Sequence, residues 1–172
     1  EKEIEYSALC GIDAVIVQDV GVGAFIKKIV PDMPLHASTQ MTIFSPEGAL
    51  QAQAFGYERV VVARELNENQ IKAVCDTGVE IEAFVHGALC MSVSGQCFMS
   101  AMIGSRSANR GLCAQACRLP FSADSKEAHA LSLKDLSLVE YIDKLRQIGV
   151  SSLKIEGRMK RPEYVAAAVS AC

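Results

Sequence analysis

The sequence predicts an α/β fold built on a parallel sheet, and three observations carry that reading. Short β-branched apolar runs alternate with segments of helical spacing. Glycine, proline and helix-capping residues mark the junctions between them. The repeat is compact, at roughly 22–25 residues per unit in the first part, which is the rhythm of a (β/α) barrel. Strands that alternate with helices pair in parallel through right-handed crossovers. A flavodoxin-like sheet is the alternative architecture.

The elements follow in order. Residues 12–17 are a β-branched apolar run and form the first predicted strand. The segment Asp19-Val20-Gly21-Val22-Gly23 lacks the full spacing of a nucleotide-binding fingerprint, so it reads as a loop entering a helix over 22–30. Residues 35–38 form the second strand. Ser45 then caps a helix with Pro46 at its first position, and Gly56 stops it. Residues 59–63 are a buried-strand signal, and Asn67 caps a helix through Val74 that ends near Gly78. Residues 79–85 form the fourth strand. Ser137 is expected to cap a helix over 138–148 with Gly149 as its stop, residues 152–155 form the fifth strand, and Pro162 opens a last helix.

The rhythm breaks between Cys90 and His129. This stretch holds four cysteines and the polar run from Gly104 to Gly111. A long irregular segment in a compact domain usually has a functional or metal-bound reason. The chain is therefore divided into βα units over 1–89, a Cys-rich insertion over 90–129, and a final βα unit over 130–172.

Composition narrows the function. With 172 residues, half of them apolar, the chain can bury a real core. A net charge of −3 argues against coating nucleic acid through bulk charge but leaves room for a local basic patch. No apolar run reaches membrane-spanning length, and the acidic start Glu1-Lys2-Glu3-Ile4-Glu5 has no apolar signal core, so a cytoplasmic location is expected. Seven cysteines in such a setting point to metal or redox chemistry. Cys10, Cys75 and Cys172 stand apart and read as small buried apolar residues.

The other four have the spacing Cys90-x6-Cys97-x15-Cys113-x3-Cys117. Four thiolates are the terminal complement of a cubane iron–sulfur cluster. They also suit structural zinc, although the six-residue gap is wide for a zinc knuckle. Two disulfides are a third reading, disfavoured in a reducing compartment. Spacing alone leaves cluster and zinc open.

Around the first two cysteines the sequence runs Glu82-Ala83-Phe84-Val85-His86-Gly87-Ala88-Leu89-Cys90, then Met91-Ser92-Val93-Ser94-Gly95-Gln96-Cys97-Phe98-Met99-Ser100. This resembles the pattern Glu-x-Phe-x2-Gly-Ser/Ala-aliphatic-Cys-x4-Gly-x-Cys-x-aliphatic-Ser of the collagenase-like peptidases, number 32 among peptidases of unknown catalytic type. The segments 35–40, 61–65 and 153–160 also look like segments of that family. The run 105–111 is most similar to the branch that makes 5-hydroxycytidine in large-subunit ribosomal RNA. Sister branches make 5-hydroxyuridine in transfer RNA or hydroxylate ubiquinone precursors without oxygen. The resemblance implies a TIM-type (β/α) barrel of which this chain holds about five parallel units, with about three earlier units lying ahead of Ile12. It implies a 4Fe–4S cluster on Cys90, Cys97, Cys113 and Cys117, with prephenate as a hydroxyl donor. The implied partners are ribosomal RNA and the remaining segments of a longer protein; no membrane partner is implied.

Barrel chemistry sits where strands end. His36, Arg64, His86 and Arg158 fall at such ends and are the catalytic candidates. Histidines there can bind substrate or move protons, and arginines can hold carboxylate or phosphate bidentately. The bland alternatives are a hydrogen-bonded histidine on the rim, and ion pairs of Arg64 with Glu65 and of Arg158 with Glu156. Gln40, Arg106, Asn109 and Arg110 are the substrate-binding candidates, the last three beside the path for RNA. Glu82 precedes the cysteines and suits a supporting role, and His129 reads as surface. A peptidase would need an activated nucleophile or a metal-bound water. Neither Gly-x-Ser-x-Gly nor His-Glu-x-x-His occurs, and a Cys90–His86 dyad would use a residue better explained as a cluster ligand. A peptidase and a non-catalytic, zinc-bearing module remain the alternatives to an RNA hydroxylase.

Overall fold

The computed structural model describes residues 1–121, 129–157 and 160–172. The chain forms two compact units. The first contains Glu1–Phe84 and Glu140–Lys154, and the second contains Val85–Val139 and Ile155–Cys172. The segment 90–129 singled out in the sequence thus belongs to a larger unit that also takes in the ends of two strands and the last helix.

In the first unit, strands β1 (Val15–Val17), β2 (Leu35–Ala37), β3 (Tyr57–Val61) and the start of β4 (Glu80–Gly87) pair in parallel in chain order. This is the α/β arrangement of a partial TIM-type barrel. Helix α1 (Lys2–Leu9), which the sequence reading left unassigned, precedes β1, and α2 (Val20–Ile29) follows it. Asp19 caps α2 by accepting from the Val22 amide at 2.9 Å, so the glycine-containing segment is indeed a helix entry. Gly23 on this helix leaves room for the buried Tyr57, because a Cβ there would lie 2.3 Å from the phenol oxygen. Helix α3 (Pro46–Ala54) starts at the Ser45 cap. Helix α4 (Glu68–Cys75) starts at a full capping box made by Asn67 and Gln70.

Period-two alternation decides what each sheet face carries. Leu35, Ala37, Val60, Ile81 and Ala83 are buried and form the apolar core with Ala49, Ala52 and Val74 from the helices. Burial of such side chains is worth about 1.5–3 kcal/mol for each large one. The other face carries His36 beside Arg59, and Arg59 beside Glu80, in neighbouring register.

The fifth predicted strand is β6 (Ser152–Glu156), which pairs with β4. The sequence did not announce β5 (Leu136–Ser137), which pairs antiparallel with His86 and Gly87 at the end of β4. Ser137 is therefore a strand residue and not a helix cap. A 3-10 turn at Val139–Tyr141 follows it, and helix α6 begins only at Ile142 and runs to Gln147. Helix α5 (Met99–Gly104) lies inside the irregular stretch, and α7 (Pro162–Ala171) opens on the predicted proline. Gly87 has a φ of +114°, and a Cβ on it would sit 2.3 Å from the Glu156 carbonyl oxygen. Only glycine allows that approach. Among the described residues no helix is long and apolar enough to cross a membrane.

Candidate functional site

In the first unit a charged network covers the polar sheet face. Glu82, only 7% exposed, accepts from Lys154 Nζ at 2.8 Å and from Ser152 Oγ at 3.0 Å, and its carboxylate lies 3.5 Å from Arg59 Nη1. Arg59 also pairs with Glu80. Burial alone would push the Glu82 carboxyl up, but Lys154, Ser152 and Arg59 outweigh it and hold the group below the ordinary carboxylate range. His36, half-buried beside this network, is lowered from its ordinary 6.5 by burial and by the Arg59 charge, against the pull of Glu82, Glu80 and Glu58. It is therefore neutral at pH 7 and able to accept a proton.

Arg64 stands just past β3 with its guanidinium 4.2 Å from the centre of the Phe84 ring, a cation–π contact. Its buried Nε has no hydrogen-bond acceptor among the described residues. A guanidinium with an unmet buried donor suits a bidentate anion. Lys154 approaches the same ring at 5.6 Å. Gln40 lies in the 3-10 turn Thr39–Met41, where its amide donates to Ser38 Oγ at 3.2 Å.

The remaining candidates belong to the second unit. His86, near the end of β4, packs its ring 5.6 Å from that of Tyr164 on α7. The His86 Nδ1 and the Tyr164 hydroxyl are both buried and lack partners among the described residues. Lys160 Nζ lies 5.0 Å from the Tyr164 ring centre. Arg106, Asn109 and Arg110 are exposed; Asn109 bonds to Ser107 Oγ, and Arg110 sits in the 3-10 turn Ala108–Arg110. Arg158 lies outside the described residues. His129 is exposed, as expected, and bonds to the Arg118 carbonyl.

None of the seven cysteines is in a disulfide. Cys90, Cys97 and Cys117 are half-buried and Cys113 is exposed. Two sulfurs accept the amide hydrogen two residues on: Met99 N donates to Cys97 Sγ and Gln115 N to Cys113 Sγ, each at 3.3 Å. Backbone amides aimed at sulfur are the outer contacts that sulfur ligands of a metal commonly take, so the donor set fits a thiolate-held metal in kind. In place, among the described residues no three His, Cys, Asp or Glu side chains are gathered at metal-binding distance. Cys113 and Cys117 do not share a helical turn. Gln115 is left-handed, and the 3-10 turn Ala116–Arg118 begins after Cys113. Cys10 and Cys172 are exposed, which corrects their reading as buried apolar residues, whereas Cys75 at the end of α4 is half-buried.

Sequence reasoning passed over Arg59, Lys154, Arg118 and Tyr164. The first two had a signal: a charge at an alternate position inside an otherwise apolar strand. Arg118 and Tyr164 had none, because their partners lie far along the chain.

The comparisons with known proteins bear on the family and the fold. The model of peptidase family U32 matches residues 1–172. The chain is 45% identical over 163 residues to the 23S rRNA 5-hydroxycytidine C2501 synthase of Escherichia coli, covering 90% of this chain and 24% of that protein. It is 35% identical to tRNA hydroxylation protein P1 of Bacillus subtilis, over 92% of this chain and 41% of the relative. It is 38% identical to a protein named collagenase from Porphyromonas gingivalis, over 90% of this chain and 42% of the relative. The chain thus spans about a quarter to two fifths of these relatives. A solved U32 peptidase structure shares the fold with a TM-score of 0.54 at 14% identity, over 93% of this chain and 63% of that one. The polar strand ends, the cysteine-bearing segment after β4 and the full-length family match lead to one assignment: this chain belongs to peptidase family U32.

Proposed function

We propose that the chain is the cysteine-bearing part of an enzyme that hydroxylates a pyrimidine in RNA without molecular oxygen, with ribosomal RNA as the first candidate. The observation that carries this reading is the 45% identity to the 23S rRNA synthase over 90% of the chain. The tRNA hydroxylation relative supports the same class of substrate. Cytoplasmic location follows from an RNA substrate, and the rest of the barrel comes from further segments of a longer protein.

The cysteine-rich segment 90–129 is the metal-binding insertion of this reading. Cys90, Cys97, Cys113 and Cys117 would hold a 4Fe–4S cluster, with zinc as the alternative occupant. When bound, the cluster supplies one-electron chemistry. The other roles belong to the chain's own groups. Arg64 binds a carboxylate of the hydroxyl donor, for which prephenate is the candidate. His36, neutral at pH 7, accepts a proton. The His86 Nδ1 and the Tyr164 hydroxyl offer hydrogen bonds from a water-poor site. The exposed Arg106, Asn109 and Arg110 take up RNA phosphates, and Phe98 of the same segment, 76% exposed, offers a ring on which a base can stack.

Deletion of the gene is expected to remove one hydroxylated pyrimidine from ribosomal RNA. Nucleoside mass spectrometry reads this directly, and an unchanged profile in ribosomal and transfer RNA overturns the proposal. The relative named collagenase favours a second reading, a peptidase. Metal-free, reduced protein should then cleave peptides and lose that activity when Cys90 is changed; no cleavage is expected here.

A further inference from the structure

The spacing of the four cysteines suggests two neighbouring couples, Cys90 with Cys97 and Cys113 with Cys117. The side chains around them join the segments differently. Arg118, directly after Cys117, has a side chain only 24% exposed. Its Nη2 donates to the carbonyl of Leu89, the residue before Cys90, at 3.0 Å. Its Nη1 donates to Ser132 Oγ at 2.9 Å and to the Leu133 carbonyl. The Asp135 carboxylate, 3.6 Å from Nη2, balances the charge and is itself held by Lys160 at 3.2 Å. A planar guanidinium with five donors can make all these bonds at once, where a lysine ammonium cannot.

Ser100 makes the second connection. It is 2% exposed and stands in the first turn of α5, three residues after Cys97. Its hydroxyl accepts from the Ala114 amide at 3.0 Å and points its own hydrogen towards Cys113 Sγ at 4.0 Å. One hydroxyl has the donor and the acceptor capacity for both. The same turn of α5 gives the Met99 amide to Cys97 Sγ.

We infer that Arg118 and Ser100 are positioning residues that arrange the four thiols as nested pairs, Cys90 with Cys117 outside and Cys97 with Cys113 inside. Neither side chain is a metal ligand. Each ties one half of the cysteine segment to the other and so limits the freedom of the fifteen residues between Cys97 and Cys113. The purpose of the arrangement rests on the cluster reading above; its geometry does not.

The test has two arms, both on the full chain. In the first, metal-free protein is oxidised with diamide, which takes two electrons and two protons for each disulfide formed, and the pairs are mapped by mass spectrometry. Cys90–Cys117 and Cys97–Cys113 are expected to dominate in the wild type and to lose that dominance in Arg118→Gln and Ser100→Ala. Dominance of Cys90–Cys97 and Cys113–Cys117 in the wild type overturns the inference. In the second arm, anaerobically purified protein is challenged with an iron chelator. The two variants are expected to release iron about tenfold faster than wild type at a temperature below the unfolding transition of each, with Arg118→Lys between Arg118→Gln and wild type. Equal release rates overturn the positioning role. Wild-type protein that carries zinc or no metal removes the cluster reading, and the disulfide map then decides the nested pairing by itself.

Discussion

The charged sheet face of the first unit and the His86–Tyr164 pair of the second treat their polar groups in opposite ways. On the first unit's sheet, Glu82, Arg59, Glu80, Lys154 and Ser152 satisfy one another in a closed network. In the second unit, the buried His86 Nδ1 and the Tyr164 hydroxyl have no hydrogen-bond partner among the described residues. A saturated network fixes a fold, because every charge in it depends on the others. Unmet buried donors and nucleophiles cost stability, and a protein that keeps them generally uses them for binding or reaction. Arg64 belongs to the first unit, yet its Nε has no hydrogen-bond partner among the described residues.

Removing Glu82 should break the contrast most severely. Glu82→Gln leaves Lys154 and Arg59 facing a neutral amide on a half-buried face, and a loss of about 2–4 kcal/mol is expected in urea unfolding. A loss below about 0.5 kcal/mol would mean that the network is ornamental and that the two regions do not differ in kind.

Arg64→Lys sharpens the comparison, because it keeps the charge and removes the planar fork. The Michaelis constant for the anionic hydroxyl donor should rise about tenfold. The unfolding midpoint should stay nearly constant, since the buried Nε has no partner to lose. The reverse pattern, lower stability with an unchanged constant, would place Arg64 among the structural charges.

His36 gives the smallest effect. Its folded pKa lies below 6.5, so the unfolded chain binds the proton more readily. Stability is then full above the unfolded value and declines as pH falls through the lower folded value. Thermal midpoints between about pH 5 and 7 should fall on acidification, and His36→Gln should flatten that slope. Glu82, also lowered in the fold, acts in the same direction at more acidic pH, so the slope below the ordinary carboxylate range should survive the substitution.

Much of this was legible in the residues, and the exceptions have physical causes. Five strands, the Asn67 capping box and the Ser45–Pro46 and Pro162 helix starts rest on local chemistry, and they stand where the sequence puts them. Strand β5 is two residues long and exists only because Leu136 and Ser137 meet Gly87 and His86, so no local propensity announces it. That pairing is also what draws Ser137 away from its expected helix. Helix α5 is six residues inside a glycine- and cysteine-rich run, too short to show a period. The candidate residues at strand ends were readable from barrel logic. The tethering roles of Arg118 and of Ser100, the closing residue of the quoted cysteine pattern, were not, because each works through partners at least thirteen positions away.

Gly87 has a mechanical consequence for the cysteine segment. The chain leaves β4 there, pressed against the Glu156 backbone, and reaches Cys90 three residues later. Three residues form a lever of about 10 Å. A swing of about 5° at its base carries the tip about 1 Å, the scale on which a sulfur is in or out of reach of a shared metal. Any side chain at position 87 would act as a wedge at the base of that lever. The aim of the first thiol is thus set by a residue with no side chain of its own.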